Sequence, residues 1–467
     1  MNDYKTTLQQ SRESQMFQRI ELEEQIECDE HVIFDNLKTI NQLIDMTINL
    51  IRKNDNNNIL CNLSQIYENK MFLKFYIQHF QNPNFIRVLE HCLSSSVYEI
   101  IEITLKIIFS LICENNNFIS NLFLPNFSTP ISNFCGSIEI NSIKLNALKV
   151  VCKLSEFASK ESIIFWPAVK TNSISVETAN FVAPFIYRIL PHLLTDDFSE
   201  SYCEELFDTF DFLINCGRNH AKYDTFYIIQ SGIETSNQRF IHQLIQKNWI
   251  STFIQMIHDQ ELRINIVIGY DTLSLLLPYL NDEILNNDAF FDIELINEHL
   301  TFLEKNGKYT AKYDDTIVLS CLNFLKQIID NHLISIQKIF QFEEFDIPNK
   351  IFMIIFHSKF KFRLLAGDVL ISIIQKGSGA QVTSLSFVFI IESLLNLLAI
   401  NHGKAEEIFD SLSRVLNLFA ATGRTNDEFL EYFYAFDASE IFGELIEERK
   451  ELVDVVTAFC TLIKFPI

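Results

Sequence analysis

The sequence predicts an all-α fold built from stacked helical repeats. Three observations predict it. Apolar side chains recur at helical spacing along most of the chain. Turn formers are scarce, with 11 Gly and 9 Pro in 467 residues. One short apolar phrase returns at near-constant intervals. A sheet protein of this length needs many tight turns, and tight turns need Gly and Pro. Helices joined by short polar links rich in Asn and Ser need far fewer. The chain is too long for one ordinary core, so several domains or a repeat array are expected. With 48% hydrophobic and 21% charged residues, it has enough apolar surface to bury and does not read as disordered.

The recurring phrase fixes the repeat. Residues 104–111 read TLKIIFSL and residues 147–154 read ALKVVCKL, each with a one-sided helical stripe. The template fits again at 209–216, 272–279, 321–328, 369–376, 415–422 and 458–465. Most steps approach the ~40–47 residues of armadillo and HEAT units. Two steps are longer and imply insertions or a degenerate unit within 158–200 and 217–260, so the repeats are expected to be irregular around 158–260. A second apolar helix precedes several of these phrases, as at Phe85–Leu93, Phe185–Leu194, Val388–Leu398 and Ile441–Ile446. Such a unit cannot bury its apolar faces alone, so neighbours stack into a continuous core. The expectation is an all-α, armadillo/HEAT-like right-handed superhelical solenoid without a sheet. Roughly eight or nine units would fill residues 31–467, behind a polar arm at residues 1–30.

Charge narrows the partners. The formal net charge of −23 disfavours nucleic acid and anionic membranes. Basic protein segments would complement it, or acidity keeps a chain with 43 Phe soluble. None of the ten Cys forms a CxxC pair, and most lie inside apolar helical patterns, which suits a reducing compartment. The charged first thirty residues hold no signal-peptide core. The longest apolar stretch, Ser384–Ile400, is interrupted by Glu392 and Asn396 and is too short and polar to span a bilayer. A cytoplasmic or nuclear location is expected.

Chemistry is sparse. Gly307-Lys308 and Gly403-Lys404 lack the upstream glycine of a phosphate-binding loop. Gly377-Ser378-Gly379 follows a helix, so it reads as a helix end with a left-handed Gly and not as a nucleophile elbow. His258 with Glu261, and Glu294 with Glu298, share helical faces but do not make a ligand set. Adjacent His91 and Cys92 point to different faces. No metal, cofactor or catalytic residue is expected, and an enzyme is not. The acidic stretch 196–211 reads either as a basic-peptide contact or as a solvated link and first helical turn.

Residues 85–116, 188–217 and 357–419, together with the final stretch from Phe436, resemble armadillo repeats, most closely a highly diverged importin-α. The likeness covers nearly the whole chain and lies in hydrophobic rhythm. It implies a non-enzymatic protein-binding adaptor, a nuclear import signal receptor in protein transport, that holds peptides in a concave groove. The N-terminal arm would meet a transport receptor. The alternative is an armadillo scaffold of another cytoplasmic complex with no transport role. In importin-α the third helices carry Trp slots for basic side chains and, one turn later, Asn for the peptide backbone. The resemblance maps the Trp positions to Lys106, Lys149, Asp211, Ser274, Asn323, Ile371 and Asn417. It maps the Asn positions to Ser110, Lys153, Asn215, Pro278, Gln327, Gln375 and Ala421. These positions, Pro278 and Ala421 apart, form the candidate peptide groove. No Trp is kept and only Asn215 matches; Trp166 and Trp249 fall outside the third helices. The arm is acidic as well, with Lys5, Arg12 and Arg19 against Asp3, Glu13, Glu21, Glu23 and Glu24. Lys106, Lys149 and Lys153 would face one groove, or be ordinary solvated lysines.

Overall fold

The structure, a computed structural model, describes residues 30–73, 83–114, 116–136, 141–170, 175–195, 200–259, 262–285, 290, 292–305, 308–331, 333–341 and 346–466. Of the arm expected at residues 1–30, residues 1–29 lie outside them. The chain divides into two compact units, residues 1–244 and 245–467.

In the first unit the repeat is carried by α1 (Glu30–Lys53), α2 (Asn56–Glu68), α3 (Pro83–Leu93), α4 (Tyr98–Glu114), α5 (Pro125–Gly136), α6 (Asn141–Phe157), α7 (Ala179–Leu193), α8 (Glu200–Asn215) and α9 (Asn219–Glu234). Helices α2, α4, α6, α7 and α9 stack in sequence as an inner row. Outer helices cover them: α3 lies on α4, α5 on α6 and α8 on α9. The second unit repeats the scheme. Its rows are carried by α10 (Trp249–Ile257), α11 (Arg263–Leu276), α12 (Asp315–Asn331), α13 (Ile347–His357), α14 (Phe360–Lys376), α15 (Phe387–Ile400), α16 (Ala405–Ala421), α17 (Ala438–Glu448) and α18 (Val453–Ile463), with shorter helices between them. There α11, α12, α14, α16 and α18 form the inner row, with α10, α13, α15 and α17 outside.

Position in the stack decides sequence character. Helix α1 buries Leu37, Ile40, Leu43, Ile44 and Thr47, a single stripe. Helix α14 has neighbours on several sides and buries Phe362, Ala366, Val369, Leu370, Ile371, Ile373 and Ile374, almost all round. Phe rings cluster between the helices. Near the end of the second unit, Phe459 meets Phe409 at 5.2 Å, Phe433 at 5.9 Å and Phe442 at 6.4 Å between ring centroids. Six of the eight described cysteines are buried, as expected of thiols used as small core side chains. Burial pushes Cys92, Cys135 and Cys321 up to about 12, so they stay protonated.

Helix ends follow from local side chains. Asp55, Asp292, Asp346, Ser378 and Thr425 accept a backbone N–H of the first turn they precede. Such caps contribute ~1 kcal/mol each. Two glycines past helix ends, Gly217 and Gly423, adopt φ of 78° and 84°. Elsewhere Asn54, Asn248 and Asp437 take left-handed φ themselves, which explains how so many helices end with so little Gly.

Three expectations need correction. The template at 209–216 falls in α8, an outer helix, whereas 185–194 lies in α7, an inner one. The sequence pattern assigns them the other way round, because both rows carry the same apolar stripe. With α7 and α9 in place, inner helices start at 56, 98, 141, 179 and 219, in steps of 42, 43, 38 and 40, so no insertion interrupts this run. Second, a sheet exists. Strands β1 (Phe302–Lys305) and β2 (Lys308–Ala311) pair antiparallel, with Phe302 opposite Ala311 and Lys305 opposite Lys308. The dipeptide between them is Asn306-Gly307, the strongest two-residue hairpin signal in a sequence. Third, Gly377 is not left-handed. Its φ is −62°, and glycine is needed there because a Cβ would lie 2.7 Å from the Ile373 carbonyl oxygen.

Gly269 marks the closest approach of α11 to α10. A Cβ there would lie 2.8 Å from the Phe253 carbonyl oxygen and 2.7 Å from Ile257 Cγ1. Gly443, inside α17, has nothing within 4 Å of that position. Gly269→Ala should therefore destabilise the protein by ~1–3 kcal/mol through overpacking. Gly443→Ala should stabilise it by ~0.5–1 kcal/mol, because only helix propensity changes. Urea unfolding of both variants checks the pair; equal shifts of the same sign would refute the packing account.

Candidate functional site

The sequence-derived positions fall into three groups. In the first unit, Lys106 and Ser110 lie on α4, and Lys149 and Lys153 on α6. These helices are adjacent inner-row neighbours, so the four side chains belong to one strip. Asp211 and Asn215 do not join them. Both are exposed on the outer helix α8, where Asn215 Nδ2 donates to the Asp211 carbonyl 2.7 Å away. In the second unit, Ser274 on α11 and Ile371 on α14 are only 8% and 4% exposed. Ser274 Oγ donates to the Tyr270 carbonyl of its own helix. Neither can line a groove. Asn323 and Gln327 are half-buried on α12, while Gln375 on α14 and Asn417 on α16 are exposed. These four keep an accessible carboxamide on three consecutive inner helices.

The strip on α4, α6 and α7 has the most built geometry. Lys106 Nζ donates to Glu102 Oε1 at 2.6 Å, and Ser142 Oγ of α6 donates to Glu102 Oε2 at 2.8 Å. The Lys106 ammonium, helped by Ser142, holds the Glu102 carboxyl below the usual carboxylate range. Lys149 Nζ stands 5.7 Å from the ring centroid of Phe181 on α7, within cation–π reach. Lys153 is no solvated lysine. It is 2% exposed, and its Nζ reaches Glu156 Oε2 at 2.7 Å. Arg188 of α7 holds the other oxygen of Glu156 at 2.6 Å and donates to the Cys152 carbonyl at 2.6 Å. Ser110 turns inward, donating to the Lys106 carbonyl.

Sequence reasoning missed Glu102, Glu156, Phe181 and Arg188. The i, i+4 pair Glu102/Lys106 and the i, i+3 pair Lys153/Glu156 were readable as helix-face neighbours. Arg188 and Phe181 were hidden by the misplacement of α7. The acidic stretch 196–211 was read partly as a basic-peptide contact. Residues 196–199 lie outside the described ones, and Glu205 is already paired with Lys170.

Elsewhere, the second unit holds a buried polar network. Tyr270 Oη is 2.9 Å from His299 Nδ1 and is hydrogen-bonded to Cys321. Both Tyr270 and His299 are at most 2% exposed. Glu298, which shares a helical face with Glu294, accepts from Tyr313 Oη at 2.5 Å and Lys312 Nζ at 2.9 Å. These contacts tie the base of the hairpin to the short helix Ile293–His299. His258 Nε2 lies 3.8 Å from Asp292 Oδ2; Glu261 is outside the described residues. Among the described residues, no three His, Cys, Asp or Glu side chains converge as a metal site would require. No helix there is long and apolar enough to cross a membrane. Trp166 and Trp249 are buried outside the inner row, at 1% and 4% exposure.

Comparison with known proteins adds the fold. No family model matches this chain, and no curated protein does. Among solved structures, an engineered protein aligns over 91% of this chain and 99% of its own, with a TM-score of 0.60 and 11% identity. The chain is an all-α repeat solenoid. A designed armadillo repeat protein also aligns, over 61% of this chain and 98% of its own, with a TM-score of 0.32 and 11% identity. At such identities the likeness concerns fold alone.

Burial lowers His299 from 6.5 to about 4, against the pull of Glu298. The folded state keeps it neutral where the unfolded chain would protonate it. Its contribution is fully present above pH 6.5 and is lost as pH falls from there towards 4. Between pH 7 and pH 5 this one group should cost about 2 kcal/mol of stability. The carboxylates with lowered values, Glu102, Glu298, Asp314, Asp315 and Glu451, act below that window. Urea unfolding at pH 7 and pH 5 should show the loss in the parent protein and a smaller one in His299→Gln. Equal losses in both would refute the assignment.

Proposed function

We propose that this chain is a non-enzymatic protein-binding scaffold that holds an extended segment of a partner against its inner helices. The supporting observation is the repetition of accessible polar side chains from one inner helix to the next. Lys106 and Lys149 do this on α4 and α6; Asn323, Gln327, Gln375 and Asn417 do it on α12, α14 and α16. A chain lying across such helices meets one contact per step. Carboxamides both donate and accept, so they suit an extended backbone whose N–H and C=O groups are free.

Two finer readings divide this class. The sequence resemblance supports an importin-α-like adaptor, a nuclear import signal receptor shuttling between cytoplasm and nucleus and engaging a transport receptor through its first thirty residues. The cations of α4 and α6 support the other, a scaffold of a different cytoplasmic complex with no transport role. Lys106 and Lys149 repel a basic import signal, and the buried Ser274 and Ile371 offer it no slot.

Calorimetry separates the two. On the scaffold reading, a lysine-rich import-type peptide should bind no tighter than ~1 mM at physiological salt. Micromolar binding would establish the carrier. The class itself is tested by selecting binders from a library of disordered peptides. Selected peptides should lose at least ~10-fold in affinity when Asn323→Ala and Gln327→Ala are combined, or when Lys149 is replaced, with the helical signal unchanged. If no peptide is selected, or none senses the inner helices, the scaffold reading falls.

A further inference from the structure

We propose that His299 is an acid-sensitive latch: its protonation releases the short helix Ile293–His299 and the hairpin that follows, while the helical rows of the second unit stay folded.

The segment depends on specific ties to the rows. Its helix is seven residues long, and an isolated two-stranded hairpin is marginal in water. Strands β1 and β2 pack chiefly on each other. Glu298, through Tyr313 and Lys312, fastens the helix to the base of the hairpin, so the two open together. Ile293, Ile296 and Leu300 supply apolar burial. The Lys350 ammonium of α13 donates to the Asn297 carbonyl and to Thr301 Oγ1, both at 2.7 Å. The Phe302 ring meets Phe362 of α14 edge-on at 6.0 Å. His299 is the tie to α11, with Nδ1 2.9 Å from the Tyr270 hydroxyl.

The surroundings of His299 do not balance a charge. The ring is 2% exposed. From α11 it faces the Tyr270 hydroxyl and, beyond it, the Cys321 thiol of α12, both neutral. The Tyr313 ring packs edge-on at 4.9 Å. Lys312 and His258 oppose a positive charge at His299, whereas Glu298 and Asp292 favour it. Glu298 is already shared by Lys312 and Tyr313, Asp292 caps the helix, and Glu294 is exposed. Lys350 brings a further cation to Asn297, two residues away. A hydroxyl can turn to suit either form of the ring, so the cost lies in burying the charge. Burial prevails and holds the ring neutral down to about pH 4. In the opened segment the ring meets water and takes a proton as an ordinary imidazole does. Acid therefore favours the open form. His258 works the other way, because a proton there strengthens its pair with Asp292, 3.8 Å off.

Hydrogen exchange of the full chain at pH 7 and pH 5, read by mass spectrometry and corrected for intrinsic rates, tests this. Peptides spanning 293–303 should lose ~20-fold in protection at pH 5. Peptides from α14 and α16 should change by less than ~3-fold. His299→Gln should remove the loss. Tyr270→Phe leaves the ring buried and should keep the loss, which maintains the test if the glutamine variant does not fold. His258→Gln should keep it too. An equal fall in protection across all peptides overturns the proposal, because opening is then global. So does a segment that keeps its protection at pH 5, a loss that survives in His299→Gln, or one that vanishes in His258→Gln.

Discussion

Stacking of inner helices on one another is the constraint on which the rest of this structure depends. A single helix pair here cannot hide its apolar surface. Helix α14, for example, buries side chains on nearly every side, and α12, α13 and α16 supply the cover. Each helix is thus both core and neighbour to the next core. Local propensity contributes caps of about 1 kcal/mol. Burial of Leu, Ile, Val and Phe between rows contributes far more per side chain. The close approach at Gly269 shows how tightly the rows are drawn together.

The same constraint limits where function can lie. An inner helix packed on both flanks and against an outer helix keeps only a narrow accessible stripe. On α6 the stripe is reduced to Ser142, Leu145, Lys149 and a few neighbours, while Lys144, Asn146 and Lys153 are already buried. Binding must use what this stripe presents or turn to the outer helices. That is why the charge of a few side chains on α4, α6 and α7 matters more than the formal charge of −23 for the whole chain. Net charge describes long-range attraction, whereas docking reads the local field.

Much of the fold was legible because helical stacking writes itself as periodicity. The apolar stripe and repeat length, with few Gly and Pro, determine an all-α repeat chain before any coordinate is known. What periodicity does not encode is row. Inner α7 and outer α8 carry the same stripe, so 185–194 and 209–216 exchanged places, and Asp211 and Asn215 went to the wrong face. Nor does it encode how deeply a stripe is covered. Ile371 and Ser274 occupy the expected phase of their helices, yet neighbours close over them. Lys153 was misjudged for a related reason. Its carboxylate partner Glu156 is also held by Arg188, which sits on a helix whose row the periodicity does not reveal. The hairpin was missed differently: Asn306-Gly307 was present in the sequence, but a strong helical pattern on either side overshadowed it.

Glu156 shows what the strip costs and what it fixes. Burying two cations is unfavourable, and Glu156 offsets part of that cost by pairing with both. Replacing Lys153 and Arg188 by apolar residues would be the cheaper way to pack α6 against α7. The arrangement ties the two helices at defined points: Arg188 to the Cys152 carbonyl, and both cations to one carboxylate. Directional bonds of this kind select one register between helices whose apolar faces alone would tolerate several. The register of α7 on α6 therefore rests on a few directional contacts, while the apolar faces supply most of the burial.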